Sequence, residues 1–175
     1  MVPMDFMELA KDRYSVRSFS DRPVEQEKID LILEAAKLAP TAVNFQPQRI
    51  YVLRSREALD RINGLCRCRD GASTVFLICS DERRAWKSQA ECGYSSGEMD
   101  CSIVCTHMML EAWDLGIGSV WVRLFDADEV REAFSLPSHI RPVCLLPIGY
   151  RTEDCVPYAP WHDVYRPIEE FTEVL

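Results

Sequence analysis

A chain of 175 residues that is 47% hydrophobic is long and apolar enough for one packed domain spanning 1–175, which excludes a disordered or low-complexity protein. Its 28 acidic residues against 20 lysines and arginines leave a net charge of −8, which argues against nucleic acid as a partner and makes any arginine cluster a local exception aimed at a small anion. No run has the length of a membrane helix and no export signal opens the chain, so a cytoplasmic protein with no membrane partner is expected, its eight cysteines kept as thiols.

Residues 3–12 place Met4, Met7, Leu9 and Ala10 against Asp5, Glu8 and Lys11 at helical spacing, which predicts a short helix. It delivers the chain to Arg13-Tyr14-Ser15-Val16-Arg17-Ser18-Phe19, where a β-branched residue and two serines disfavour helix. An extended backbone turns Arg13, Ser15 and Arg17 to one side. Two guanidinium forks around a hydroxyl suit a phosphate; a solvated basic turn is the plainer alternative. Pro23 is expected to open a second helix to about Leu38, with Ile29, Ile32, Leu33 and Ala36 on its core face and Glu25 and Glu27 in its first turn. Pro40 stops it. The segment Pro40-Thr41-Ala42-Val43-Asn44-Phe45-Gln46-Pro47-Gln48 is a structured loop, whose three amides and hydroxyl match the edge of a heteroaromatic ring or serve an ordinary connector.

Further along, Ile50 to Leu53 predicts a short strand, and Ser55 caps a helix to Leu65 with Leu59 and Ile62 inward. The unbroken apolar run Thr74 to Cys79 predicts a buried central strand. Residues 81–96 are expected as loop or irregular helix, forming a lid. Glu98 to Leu115 is the longest helix and is apolar on more than one face, which places it in the core or at a subunit interface; His107 within it is read as a core histidine. Gly116 ends this helix, Gly118 to Val122 is a strand, Asp126 starts a helix to about Phe134, and Val143 to Tyr150 is another apolar strand. Cys79, Cys101, Cys105 and Cys144 stand in apolar surroundings and are expected buried, whereas Cys66, Cys68 and Cys92 are expected exposed. No CxxC occurs, which weighs against a metal or thiol-redox protein.

The order of motifs resembles the FMN-dependent nitroreductase family in its compact form. The resemblance is carried by Arg13 to Phe19, the helix ending in Ala39-Pro40-Thr41, Asn44-Phe45-Gln46-Pro47, Leu115 to Trp121, Leu146 to Tyr150 and Arg166-Pro167-Ile168. It implies an α+β fold, a mainly antiparallel sheet in a three-layer α/β/α arrangement. It further implies a homodimer whose C-terminal tails exchange as strands, and FMN reduced by NADH or NADPH. By matching positions, Arg13 and Arg166 would hold the FMN phosphate, with Tyr14 and Ser15 beside them. Arg17 would act at the ring as the catalytic cation. Pro40, Thr41, Ala42 and Asn44 would close over the flavin from the other subunit, and the backbone at Arg123 would lie near N5. Ala42, Gln48, Val164 and the pair Arg123-Leu124 depart from the family pattern. A flavin store of the same fold, without redox activity, is the alternative function.

Overall fold

Eight successive buried residues make Thr74–Asp81 (β2) an inner strand, as the unbroken apolar run requires. A computed structural model of the chain describes residues 5–66 and 71–175. Strand β2 pairs antiparallel with Gln48–Leu53 (β1) on one side and Ile140–Gly149 (β4) on the other. Gly118–Ser119 (β3) pairs antiparallel with β4, so the order is β1-β2-β4-β3. Successive side chains of a strand leave to opposite faces. Phe76, Ile78, Leu146 and Ile148 pack with Gln26–Leu38 (α2) and Gly97–Asp114 (α4). Val75, Leu77 and Leu145 pack on the other face with Phe6–Asp12 (α1), Arg56–Leu65 (α3) and Ala127–Ala133 (α5). The sheet therefore lies between helical layers, the expected α+β arrangement.

Local chemistry sets most element ends. Ser55 Oγ accepts from Ala58 N, and Asp126 Oδ1 accepts from Asp128 N and Glu129 N, so α3 and α5 begin where their caps stand. Gly116 takes φ 74° after α4, a turn that glycine enters without a Cβ clash. Helix α4 buries Cys101, Val104, Cys105, Met108 and Ala112 completely. His107 is half-buried on its side, Nδ1 lying 3.0 Å from the Ile103 carbonyl.

Several expectations change. Helix α2 starts at Gln26 rather than Pro23, because Glu25 takes the N-cap position with extended backbone. There its carboxylate accepts from the Tyr150 hydroxyl at 2.6 Å and from Arg22 at 2.7 Å. The Tyr150 hydrogen bond, reinforced by Arg22, holds the Glu25 carboxyl down at about 2. The strand expected over 118–122 shortens to Gly118–Ser119, and Val122 rejoins Leu145 through one bridge. Of the two forms expected for residues 81–96, the structure has the loop, with turns and the bridge Lys87–Ser95 over residues 82–96, while Asp81 closes β2. The tail forms the short helix Ala159–His162 (α6) and a 3₁₀ turn at Ile168–Glu170, and no strand. Pro157, Pro160 and Pro167 cannot donate to a ladder. Cys66 is buried beneath the end of α3, Cys92 is exposed, and Cys68 lies outside the described residues. Cys79, Cys101, Cys105 and Cys144 are free and buried as expected, and burial pushes the Cys79 thiol up to about 12. Among the described residues no helix is long and apolar enough to cross a membrane.

Candidate functional site

Residues 13–19 extend the sheet beyond β3. Val16 N donates to the Ser119 carbonyl at 2.9 Å, and Ser15 pairs with Ser119 in parallel sense. Tyr14 and Val16 are buried, which leaves Arg13, Ser15 and Arg17 on the opposite side, as the alternation predicts; the alternation ends before Phe19, which shares their parity and is buried. Two glycines allow this approach. A Cβ on Gly118 would come within 2.7 Å of Val16 Cγ2, and one on Gly149 within 2.9 Å of Phe19 Cδ1.

Tyr14 is a pin between the body and the tail. Its ring meets Trp113 edge-on at 5.0 Å and His162 at 6.0 Å, and its hydroxyl donates to the Cys155 carbonyl at 2.8 Å. Burial raises its pKa above the ordinary tyrosine value. Trp113 is fixed in turn by donating Nε1–H to Asp12 Oδ2 at 3.0 Å.

Arg13, Ser15 and Arg17 line one cleft of about 70 Å³ with Tyr14, and the tail supplies Tyr158, Trp161 and His162. Arg13 Nη1 is buried and has no hydrogen-bond partner. Burial pulls the Arg13 guanidinium below its ordinary pKa, and Tyr165 nearby raises it in part. A half-buried cation with an unused donor is the complement of an anion, since a desolvated charge is costly until it is paired. Arg17 donates to the Ser15 carbonyl at 3.2 Å, and its guanidinium lies 5.6 Å from the Trp161 ring centroid. Next to this strand the Ser119 hydroxyl is also buried and unpartnered. The volume has room for a phosphate group but falls well below the ~300–1,000 Å³ of whole small-molecule sites.

The loop after Pro40 is held in place from α4. Ala42 N donates to Asp100 Oδ1 at 2.9 Å, and Ser96 Oγ donates to Asp100 Oδ2 at 2.7 Å. Thr41 Oγ1 accepts from Gln46 N at 3.1 Å, and Asn44 Oδ1 accepts from Gln46 Nε2 at 2.9 Å. Val43, Asn44 and Gln46 adopt φ of 53°, 56° and 51°. Left-handed backbone is especially unfavourable for β-branched valine, so the loop is over-determined by these bonds.

Of the residues singled out from sequence, the cleft unites Arg13, Tyr14, Ser15 and Arg17. It does not bring in Pro40, Thr41, Ala42 or Asn44, nor Arg123 or Arg166, within one chain. Arg123 donates to the Phe125 carbonyl at 3.1 Å and faces a separate cavity with Asp126 and Arg141. Arg166 is exposed and bonds Glu170, through its carboxylate at 3.1 Å and its carbonyl at 2.7 Å. Asp100, Tyr158, Trp161 and His162 are site neighbours that the sequence reasoning missed. Asp100 carried one signal, an acidic residue directly before the buried run of the longest helix.

Comparison with known proteins gives a consistent picture. The model of the Nitroreductase family matches residues 10–69 and 68–150. A protein of Methanothermobacter thermautotrophicus, provisionally named an NADH dehydrogenase/NAD(P)H nitroreductase, is 34% identical over 159 residues, covering 86% of this chain and 80% of that one. The Bacillus subtilis FMN reductase [NAD(P)H] is 30% identical over 156 residues, covering 79% of this chain and 63% of its own. The crystal structure of a nitroreductase family protein from Clostridium difficile superposes with a TM-score of 0.89 at 37% identity, covering 97% of this chain and 98% of that one.

Proposed function

This chain belongs to the nitroreductase family, and on that premise we propose that it is an FMN-dependent NAD(P)H oxidoreductase, one domain per subunit, working as a homodimer on nitroaromatics, quinones or related small electrophiles. The observation that carries the proposal is the buried, unpartnered Arg13 Nη1 in a cleft shared with Ser15 and Arg17. These donors fit a phosphate. The name of the Bacillus relative, an FMN reductase, supports the choice of cofactor. When bound, FMN would supply the redox chemistry of a two-electron, ping-pong transfer from NADH or NADPH to a second substrate.

The chain's own residues bind and orient. Arg13 pairs with the phosphate, with Ser15 beside it. Arg17, four residues on along the same strand, carries positive charge toward the ring and favours the negative charge that develops on reduction. No side chain is required as a general acid, because water can supply the proton. The loop of Pro40, Thr41, Ala42 and Asn44, held in shape by Asp100, covers the ring from the second subunit and keeps water off it. Arg166 reaches the phosphate on the exchanged tail, which exchanges its Glu170 contact for the phosphate. The backbone at Arg123 completes the ring site.

A dimer is the natural complement of the surface. Phe6 and Leu38 are exposed at an apolar groove where α1, α2 and α4 meet, and the tail presents further large apolar side chains. A cytoplasmic location accompanies this proposal, since reduced nicotinamide and free thiols belong to a reducing compartment. The test is to measure FMN and riboflavin binding to wild type and Arg13→Ala. FMN weakens by about 1.5–3 kcal/mol, the scale of a charged hydrogen bond, while riboflavin, which lacks the phosphate, barely changes. Equal losses for both ligands would remove Arg13 from the phosphate.

A further inference from the structure

A second group of guanidiniums lies apart from the Arg13 cleft. Arg49, Arg83 and Arg84 line a cavity of about 590 Å³ with Gln46, Gln48 and Asp81. Asp81 is buried and its carboxylate is already committed: Oδ1 takes Arg83 Nε at 3.1 Å, Oδ2 takes Arg83 Nη2 at 3.0 Å, and Arg83 N adds a third bond at 3.1 Å. That pairing leaves Arg49 and Arg84 as uncompensated positive charge in a chain of net charge −8. Arg84 spends one long bond, Nη2 to the Phe45 carbonyl at 3.3 Å, and turns along the loop that holds Thr41 and Asn44. Gln48 Oε1 is buried without a partner, an acceptor waiting for a hydroxyl or amino group.

Guanidiniums placed for an anion, beside an orphan acceptor, are the polar complement of a phosphorylated nucleoside. The volume falls in the ~300–1,000 Å³ range of ligand sites. The location adds the rest, because Gln46 and Gln48 continue the loop assigned to the flavin ring, where a donor must bring its nicotinamide. An exposed arginine on the edge strand β1 also discourages edge-to-edge pairing, which accounts for Arg49 alone. It leaves the buried Gln48 acceptor and the orientation of Arg84 without a reason.

We propose that this cavity is the subsite for the adenylate half of the nicotinamide donor, with its phosphates on Arg49 and Arg84 and a ribose hydroxyl or the adenine amino group on Gln48 Oε1. The assignment rests on the flavin-reductase reading. It makes the departure at Gln48 a specificity determinant for the donor.

The test compares NADPH, NADH and reduced nicotinamide mononucleotide, which keeps the hydride-bearing ring and lacks the adenylate. FMN-loaded wild type, Arg49→Ala and Arg84→Ala are assayed with each. The ratio of KM for the dinucleotides to KM for the mononucleotide rises about tenfold per arginine removed, the value of one charge-assisted hydrogen bond. A rise confined to NADPH assigns the arginines to the 2′-phosphate; a rise for NADPH and NADH alike assigns them to the pyrophosphate. Calorimetric binding of NADP⁺ gives a readout without turnover and weakens by the same factor. An unchanged ratio overturns the subsite, and so does an equal loss with the mononucleotide, which would mean that the loop had moved. Failure of the flavin-reductase reading has a different signature: wild type would then oxidise none of the three donors.

Discussion

At the centre of the sheet and on the buried face of α4, large side chains are closed off from water: Phe76, Leu77, Met108 and Leu146 are 0% exposed. Beyond Cys155 the same kinds of residue stand in the open, with Trp161, Tyr165 and Val164 at 75%, 73% and 72% exposure. The body packs its two cores within one chain, on both faces of β2 and β4, and leaves Phe6 and Leu38 exposed at the groove between α1, α2 and α4. Among the described residues the tail rests on Tyr14, through the Cys155 carbonyl and the His162 ring, and on Arg17, through the Trp161 ring. Composition does not separate the two regions; the availability of a surface does. Exposed aromatic side chains in one segment are the mark of a surface that can meet another, and the Arg13 cleft lies where tail and body touch. Fold and cleft are therefore separable: the body carries the fold, and the cleft draws its lining from both regions.

The strongest way to break this comparison is to delete residues 156–175. The truncated chain keeps a cooperative melt and loses both dimer and FMN, as read by light scattering and by flavin absorbance. A truncated protein that remains a yellow dimer would show that the tail is dispensable to the site.

Paired core and tail variants sharpen the contrast. Phe76→Ala opens a cavity in the centre of the sheet and costs about 3–5 kcal/mol of unfolding free energy. Phe171→Ala, measured in urea at concentrations where the chain is monomeric, stays within about 0.5 kcal/mol of wild type. Comparable losses at the two positions would place the tail inside the cooperative core.

An effect smaller than that of the core variant belongs to a body residue that serves the site from a distance. Asp100→Ala leaves Ala42 N and Ser96 Oγ without their acceptor, which costs about 1–3 kcal/mol. It releases the left-handed loop, so FMN and riboflavin weaken together, in contrast to Arg13→Ala. Asp100→Asn retains one acceptor oxygen and restores part of the loss. A preference for FMN over riboflavin that changes in Asp100→Ala would link this carboxylate to the phosphate instead of the loop.

Much of the body is legible in local sequence because its causes are local. The buried run at 74–79, the caps at Ser55 and Asp126 and the glycine after α4 each declare an element within a few residues. Arg13, Ser15 and Arg17 share a cleft because an extended chain alternates, and that period is visible in the letters. Where the cause is distant, the letters are silent. The start of α2 is set by Tyr150, which lies 125 residues from Glu25 in the chain. The strand expected to reach Val122 breaks after Ser119, and nothing in Val120-Trp121-Val122 announces it. Asp100 reads as an ordinary first-turn acid until Ala42 is seen to donate to it. Trp161 and Tyr158 read as apolar tail residues until the fold lays them beside Arg13 and Arg17.

The most direct test of the central claim is an anaerobic titration of the FMN-loaded protein with NADPH and with NADH. At least one of them bleaches the yellow flavin band in a stoichiometric, two-electron step, and a quinone or nitroaromatic then restores it. A band that stays yellow with both donors, while FMN remains tightly bound, would contradict the reductase and leave a flavin-storing protein of the same fold.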